Sequence, residues 1–262
     1  MTEEGLRAVF EAYLQIHLPG GGKVEEAMAY ALGGGGKRLR PVLVLMAAEA
    51  AGGDAECCLP AALAVEAVHT YSLVHDDLPD MDNDDWRRGR PSCHRAFGPA
   101  VAILAGDGLL TWGLGLLADP NLRQSCSDAA CLECLTVLTA AIGTAGMVGG
   151  QALDLGFGQA SRDQIDQMKT AALFGAAAQI GAILAGRGDL AMALRAYGED
   201  LGRAFQAVDD RLDLDRSDQV HLAELTKVAD LHSQRALQHL FPLAERGGEL
   251  TALVERLSQR QA

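Results

Sequence analysis

Residues 59–85 read LPAALAVEAVHTYSLVHDDLPDMDNDD. Leu63, Val65, Ala67, Val68, Tyr71, Leu73 and Val74 keep a helical apolar spacing up to the edge of an acidic block. The spacing predicts a helix from Leu59 to about Asp77. Pro79 lacks an amide hydrogen and clashes with the turn before it, so the helix kinks or stops there. Asp76, Asp77, Asp80, Asp82, Asp84 and Asp85 then fall close together. Such a block repels itself unless cations bind it, which makes metal the first question.

Outward from this stretch the same periodicity dominates. It predicts helices over 6–18, 24–32, 38–51, 99–118, 127–147, 163–185, 190–214, 219–240 and 249–259. Gly and Pro clusters at 19–22, 33–36, 89–91, 98–99 and 186–188 separate them. No run of period-two alternation is convincing. Aromatics are only 5% of the 262 residues, too few for a sandwich or barrel. An Ala/Leu-rich chain points to an all-α fold with close packing where small residues face each other. No composition shift marks a boundary, so residues 1–262 read as a single domain.

Net charge is −13, which argues against a sequence-independent nucleic-acid binder, since phosphate affinity needs a basic field. The N-terminus lacks a basic-then-apolar leader. Six cysteines without one imply reduced thiols in a cytoplasm. The uncharged stretch Cys134–Leu153 is about the length of a membrane span, but its glycines and threonines favour a buried core helix and a bend over a transmembrane segment.

A second acidic motif, Phe205-Gln206-Ala207-Val208-Asp209-Asp210-Arg211-Leu212-Asp213, also ends an apolar helical run. Residues i and i+4 share a helix face, so Asp209 and Asp213 project together, as do Asp76 and Asp80. Hard oxygen ligands on two helices suit Mg²⁺, which keeps waters and completes its shell with phosphate oxygens. A solvated acidic helix end is the bland alternative. Gly33-Gly34-Gly35-Gly36-Lys37-Arg38-Leu39-Arg40-Pro41 supplies flexible backbone and three cations. It is not a P-loop, because no Ser or Thr follows the Gly-Lys. It is either a phosphate cradle or an ordinary helix start with surface cations.

The segments GGGGKRLRP, HTYSLVHDDLPDMDNDDWRRGRPSCH, GGQALDL, MKTAALFG and FQAVDDRLD resemble, in this order, those of the trans-isoprenyl diphosphate synthases of the bacterial farnesyl/geranylgeranyl type. The resemblance covers roughly residues 24–215. It implies an isoprenoid-synthase-type helical bundle around a deep central cavity, a homodimer, and head-to-tail prenyl transfer. In that reaction isopentenyl diphosphate attacks an allylic cation, giving mainly farnesyl diphosphate. It also implies three Mg²⁺ ions per site, with Mn²⁺ as a substitute.

Carried over position by position, the resemblance makes Asp76, Asp77 and Asp82 metal ligands, with Asp82 preferred to Asp80. Asp209 and Asp213 are the ligands of the second motif, and Asp210 supports them. Arg87 reaches the allylic diphosphate. Lys37, Arg40, His69 and Arg88 hold the diphosphate of isopentenyl diphosphate. Lys169, Thr170 and Gln206 line the allylic side, and Gln151 and Asp154 support them. His69, two helical turns before Asp76, shares its face. Tyr71 and Ser72 form the floor against which the growing tail stops. Arg87 and Arg88 diverge by about 100° if they lie on a helix, which lets them serve two phosphates.

After Asp213 the pattern departs from the family. A loop carrying Gly-Lys and a second lysine is missing near 214–222, where Leu214-Asp215-Arg216-Ser217-Asp218-Gln219-Val220-His221 runs directly into Leu222. Either the chain has lost that loop, or an evenly numbered sequence runs across a lid segment left out of it. Three functions compete: an active short-chain prenyltransferase, a catalytically impaired or regulatory subunit, and a class I terpene cyclase. The cyclase needs no second diphosphate site, so Lys37, Arg40, His69 and Arg88 argue against it.

Overall fold

The structure, a computed structural model, describes residues 1–214 and 218–259, except for the side chain of Asp213. In chain order the helices are α1 (Glu3–His17), α2 (Lys23–Leu32), α3 (Leu39–Ala51) and α4 (Leu59–Asp76). A two-residue ribbon follows, β1 (Trp86–Arg87) and β2 (Arg90–Pro91). Then come α5 (Cys93–Phe97), α6 (Pro99–Leu116), α7 (Pro120–Ser125), α8 (Asp128–Ile142) and α9 (Met147–Asp154). After α10 (Arg162–Asp166) and a π-helical turn (Gln167–Ala171), the chain continues as α11 (Ala172–Leu184), α12 (Gly188–Asp213), α13 (Gln219–His239) and α14 (Gly248–Ser258). The all-α fold expected from composition is the observed one.

α4 is buried on almost every side from Leu59 to Val68, which explains why its apolar positions outnumber those of a one-faced helix. It packs on α3 and α6, while α11 packs on α3 and α12, and α13 covers α12. Small residues permit this closeness: a Cβ on Gly181 of α11 would lie 2.3 Å from the Val44 carbonyl oxygen of α3. Local chemistry sets the helix ends. Ser127 Oγ accepts from Ala130 N at the start of α8, and Ser161 and Gln164 form a capping box at the start of α10.

Several expectations change. The helix expected over 163–185 is interrupted by the π turn. The ribbon at 86–91 was not legible, because two residues per strand leave no alternation to read. The bend in Cys134–Leu153 falls at Gly143–Gly146, between α8 and α9, but α8 is not a buried core helix. Its outer face, including Leu132, is exposed. Among the described residues three helical stretches are long and apolar enough to cross a membrane by length and composition: Glu56–Asp76, Pro99–Ser125 and Asp128–Asp154. The first is mostly buried in protein; the other two are mostly not. α12 ends at Asp213 and α13 starts at Gln219, so only 219–222 of the stretch where the family's lid loop is missing are helical; residues 215–217 lie outside the described set.

Candidate active site

A cavity of about 1050 Å³ opens between α3, α4, α9, the π turn and α12. Most of the residues singled out in the sequence meet on its wall: Lys37, Arg40, His69, Tyr71, Ser72, Asp76, Arg87, Arg88, Lys169, Thr170, Gln206 and Asp209. Asp77, Asp82 and Asp210 lie outside this lining.

The basic wall is built on the glycine run. Gly35 and Gly36 have φ of 75° and 129°, and Arg38, with φ 49°, turns the chain into α3. A left-handed arginine is costly, and three partners hold it. Its Nε donates to Glu11 (2.7 Å), Nη1 to the buried Glu66 (2.5 Å) and Nη2 to the Leu32 carbonyl (2.7 Å). Arg38 is 2% exposed and committed to these groups. Of the three cations in the run, Lys37 and Arg40 therefore present their heads to the cavity.

The Arg40 guanidinium lies 4.4 Å over the Phe174 ring, with Nη1 3.2 Å from His69 Nε2. Burial, chiefly, pulls Arg40 down to about 10. Burial and then the positive charges of Arg40 and Arg88 hold His69 well below the ordinary imidazole range. His69 is therefore neutral, and its Nε2 accepts from Arg40. The Nε of Arg40 is buried without a protein partner among the described residues. Such a crowd of partly desolvated donors is prepared for an anion.

Arg87 and Arg88 do not diverge because of a helix. Arg88 and Gly89 have φ of 54° and 76° and form the two-residue turn between β1 and β2, a conformation that requires positive φ at both central positions. Arg88 thereby donates to the Gly35 carbonyl. Arg87, on β1, donates from Nε to Asp77 Oδ1 (3.0 Å) and from Nη2 to Asp84 Oδ2 (3.0 Å).

That pairing engages Asp77, one of the metal ligands the resemblance implies: its carboxylate is buried, accepts from Arg87 and orients that arginine. The backbone also bears on the choice between Asp80 and Asp82. α4 ends at Asp76, and past Pro79 the chain folds back so that Asp82 N donates to the Asp76 carbonyl (2.9 Å). Asp82, not Asp80, returns beside Asp76.

Asp76 has no hydrogen-bond partner for its carboxylate among the described residues. Burial raises its pKa to about 6, and Lys169 counteracts this while Asp82 adds to it. Asp209 stands on α12, where Lys37 Nζ donates to both its oxygens (2.9 and 3.1 Å). Asp210 accepts from Gln206 Nε2 (2.7 Å) and lies 3.5 Å from Arg162. The side chain of Asp213 is outside the described residues. Among the described residues no three His, Cys, Asp or Glu side chains converge as a metal-binding group. Magnesium, which retains waters and shares phosphate oxygens, needs only one or two carboxylates from a protein. The partnerless Asp76 carboxylate and the carboxylate of Asp209 fit that demand.

The π turn presents Lys169 and Thr170 to the cavity. Lys169 Nζ bonds Asp154 Oδ2 (2.6 Å), and Thr170 Oγ1 bonds Gln206 Oε1 (3.1 Å). Gly150 makes room for this turn, since a Cβ there would meet Lys169 N at 2.4 Å. Asp154 thus braces Lys169. Both amide atoms of Gln151 are buried without partners among the described residues. Sequence reasoning missed Glu66, Glu11 and Arg162. A lone Glu66 inside an apolar helix, opposite an arginine-rich run, was the available signal.

A helical bundle enclosing a cavity with a carboxylate edge and an arginine–histidine wall defines an isoprenoid-synthase-type fold. The chain belongs to the polyprenyl synthetase family, whose sequence model matches residues 22–235. It is 45% identical over 204 residues to a heterodimeric geranylgeranyl pyrophosphate synthase large subunit of Arabidopsis thaliana, a match covering 74% of this chain and 55% of that protein. It is 40% identical over 223 residues to a farnesyl diphosphate synthase of Geobacillus stearothermophilus, covering 83% and 74%. The crystal structure of an FPP/GFPP synthase from Zymomonas mobilis superposes with a TM-score of 0.86 at 33% identity, covering 98% of this chain and 97% of that one. The chain spans only 55% and 60% of the length of two plant relatives that it matches.

Proposed function

We propose that the protein is a trans-prenyltransferase that joins isopentenyl diphosphate to dimethylallyl or geranyl diphosphate, giving mainly farnesyl diphosphate. One observation carries this reading: a single cavity has a carboxylate edge at Asp76 and Asp209 and, separately, a desolvated cationic wall at Arg40, His69 and Arg88. One diphosphate is held through metal and one by direct donors, which is what a condensation of two diphosphates requires.

Arg40, Arg88 and neutral His69 bind and orient the isopentenyl diphosphate. Arg87, aimed by Asp77 and Asp84, and Lys169, braced by Asp154, face the allylic diphosphate. Mg²⁺ held by Asp76 and Asp209, with Asp82 close by, would neutralise the charge that develops on the departing diphosphate. As the allylic carbon–oxygen bond breaks, the partner's double bond supplies its electron pair to that carbon, and a proton then leaves the new chain. Thr170 Oγ1 and Gln206 Oε1 place oxygen lone pairs beside the electron-poor carbons. Buried Met147 and half-buried Leu155 on the cavity wall keep water from them.

Buried Tyr71, on the cavity wall five residues before Asp76, closes the space available to the tail and supports the fifteen-carbon product. Relatives named for farnesyl and for geranylgeranyl synthesis both match, so this residue carries the choice. The six thiols are free, which suits a reducing cytoplasm. The apolar outer faces of α6 and α8, with Ile103, Leu104 and Leu132 exposed, suit a contact with a second copy better than a lipid phase, and light scattering tests this.

The deciding experiment is incorporation of radiolabelled isopentenyl diphosphate by the purified protein with Mg²⁺ and each allylic starter. Fifteen-carbon product is expected. No incorporation by the protein alone would overturn the reading in favour of an impaired subunit.

A further inference from the structure

α6 carries two glycines seven residues apart, Gly106 and Gly113, both buried against α4. At Gly113 an added Cβ would lie 3.2 Å from Ala64 O, a contact that a small shift relieves. Gly106 is different. A Cβ there would lie 2.0 Å from His75 Nε2 and 2.3 Å from His75 Cδ2. The imidazole occupies the volume where any other residue of α6 would place its side chain. It is also fastened there: His75 Nε2 lies 3.1 Å from the Ile103 carbonyl oxygen, to which it donates, and 3.9 Å from Asp107 Oδ1.

His75 is one helical turn beyond Tyr71, on the same face of α4. The two rings meet edge to face, with centroids 5.8 Å apart and planes at 80°. Both line the cavity. The Tyr71 ring is therefore backed by a second ring, which α6 in turn holds. Neither the acidic motif nor the cation wall uses His75.

We infer that His75, seated in the notch left by Gly106, is a specificity-determining residue that fixes the depth of the prenyl cavity together with Tyr71. This rests on the proposed prenyl transfer and deepens it. The physical reason is steric. An aromatic floor limits chain length only if its rings cannot swing aside, and an unbacked tyrosine on a helix has another staggered rotamer available. The imidazole, held by Ile103 O, blocks that swing. The notch sets where the imidazole lies, so a residue of α6 controls a dimension of the cavity that it does not itself line.

The test is the ratio of ten-, fifteen- and twenty-carbon products made by four variants from dimethylallyl diphosphate. His75→Ala removes the backing ring, and the twenty-carbon share should rise about tenfold, the discrimination typical of a small change in an apolar pocket. Gly106→Ala should act oppositely: its methyl displaces the imidazole toward the cavity, and ten-carbon product should accumulate. His75→Ala/Gly106→Ala should return to the lengthened pattern, because the clash is gone. That double variant also keeps the test open if Gly106→Ala alone fails to fold. Tyr71→Ala separates this inference from the reading beneath it. If Tyr71→Ala lengthens the product and His75→Ala does not, the inference about His75 is overturned while Tyr71 stands. If His75→Ala lengthens it and Tyr71→Ala does not, the joint floor is overturned. Overall turnover tests the proposed function; the product ratio tests the notch.

Discussion

Replacing Asp76 by Asn should make the metal-free protein more stable while removing its activity. In the native state burial raises the Asp76 carboxyl from 3.8 to about 6. Between those values the folded chain binds more protons than the unfolded chain, so stability falls as pH rises, and above about pH 6 the loss is complete. A rise of about two units corresponds to about 3 kcal/mol. Water at the cavity edge screens part of that, leaving about 1.5–3 kcal/mol, or roughly 3–10 °C in melting temperature. Asn keeps the shape and drops the charge. Thermal melts of both proteins at pH 8 without metal should show the variant more stable by that amount. The gap should shrink to about a third at pH 4.5, where most of the wild-type carboxyl is protonated in the native state. Addition of Mg²⁺ with inorganic diphosphate should reverse the order, because only wild type binds the ion through this group. A variant no more stable than wild type at pH 8, or a gap that ignores pH, would refute the argument that an incompletely compensated, half-buried charge waits here for a cation.

Asp209→Ala should lower prenyl transfer roughly 100- to 1000-fold. It should change stability by less than about 1 kcal/mol, since its bond to half-exposed Lys37 is a surface pair; paired kinetics and melts check both. Arg88→Ala should raise KM for isopentenyl diphosphate about tenfold or more. Arg87→Ala should act on the allylic substrate and also destabilise the fold, because it strands buried Asp77; equal effects of the two variants on both substrates would count against separate roles. Glu66→Ala should cost about 1–3 kcal/mol in a urea titration, as it leaves the buried Nη1 of Arg38 without its carboxylate while Glu11 and the Leu32 carbonyl still hold the rest of the guanidinium. It should weaken isopentenyl diphosphate binding through the displaced Arg40.

The helical class, most helix positions and the identity of most cavity residues were legible along the chain. Helical period, proline stops and acidic runs are local properties, readable wherever neighbours along the chain decide the outcome. His69 and Asp76, two turns apart, were bound to share a face. Tertiary structure decided what each charge does. Asp77 and Asp76 are adjacent, yet one is spent on Arg87 and the other lacks a partner. Arg38 sits between two cavity cations but turns inward to Glu66. The turn at Arg88-Gly89, not a helix, sets the two arginines apart. His75 became informative only when α6 arrived with a glycine opposite it. Pairing and steric exclusion depend on groups that distant parts of the chain bring within a few ångströms, and no local pattern encodes that distance.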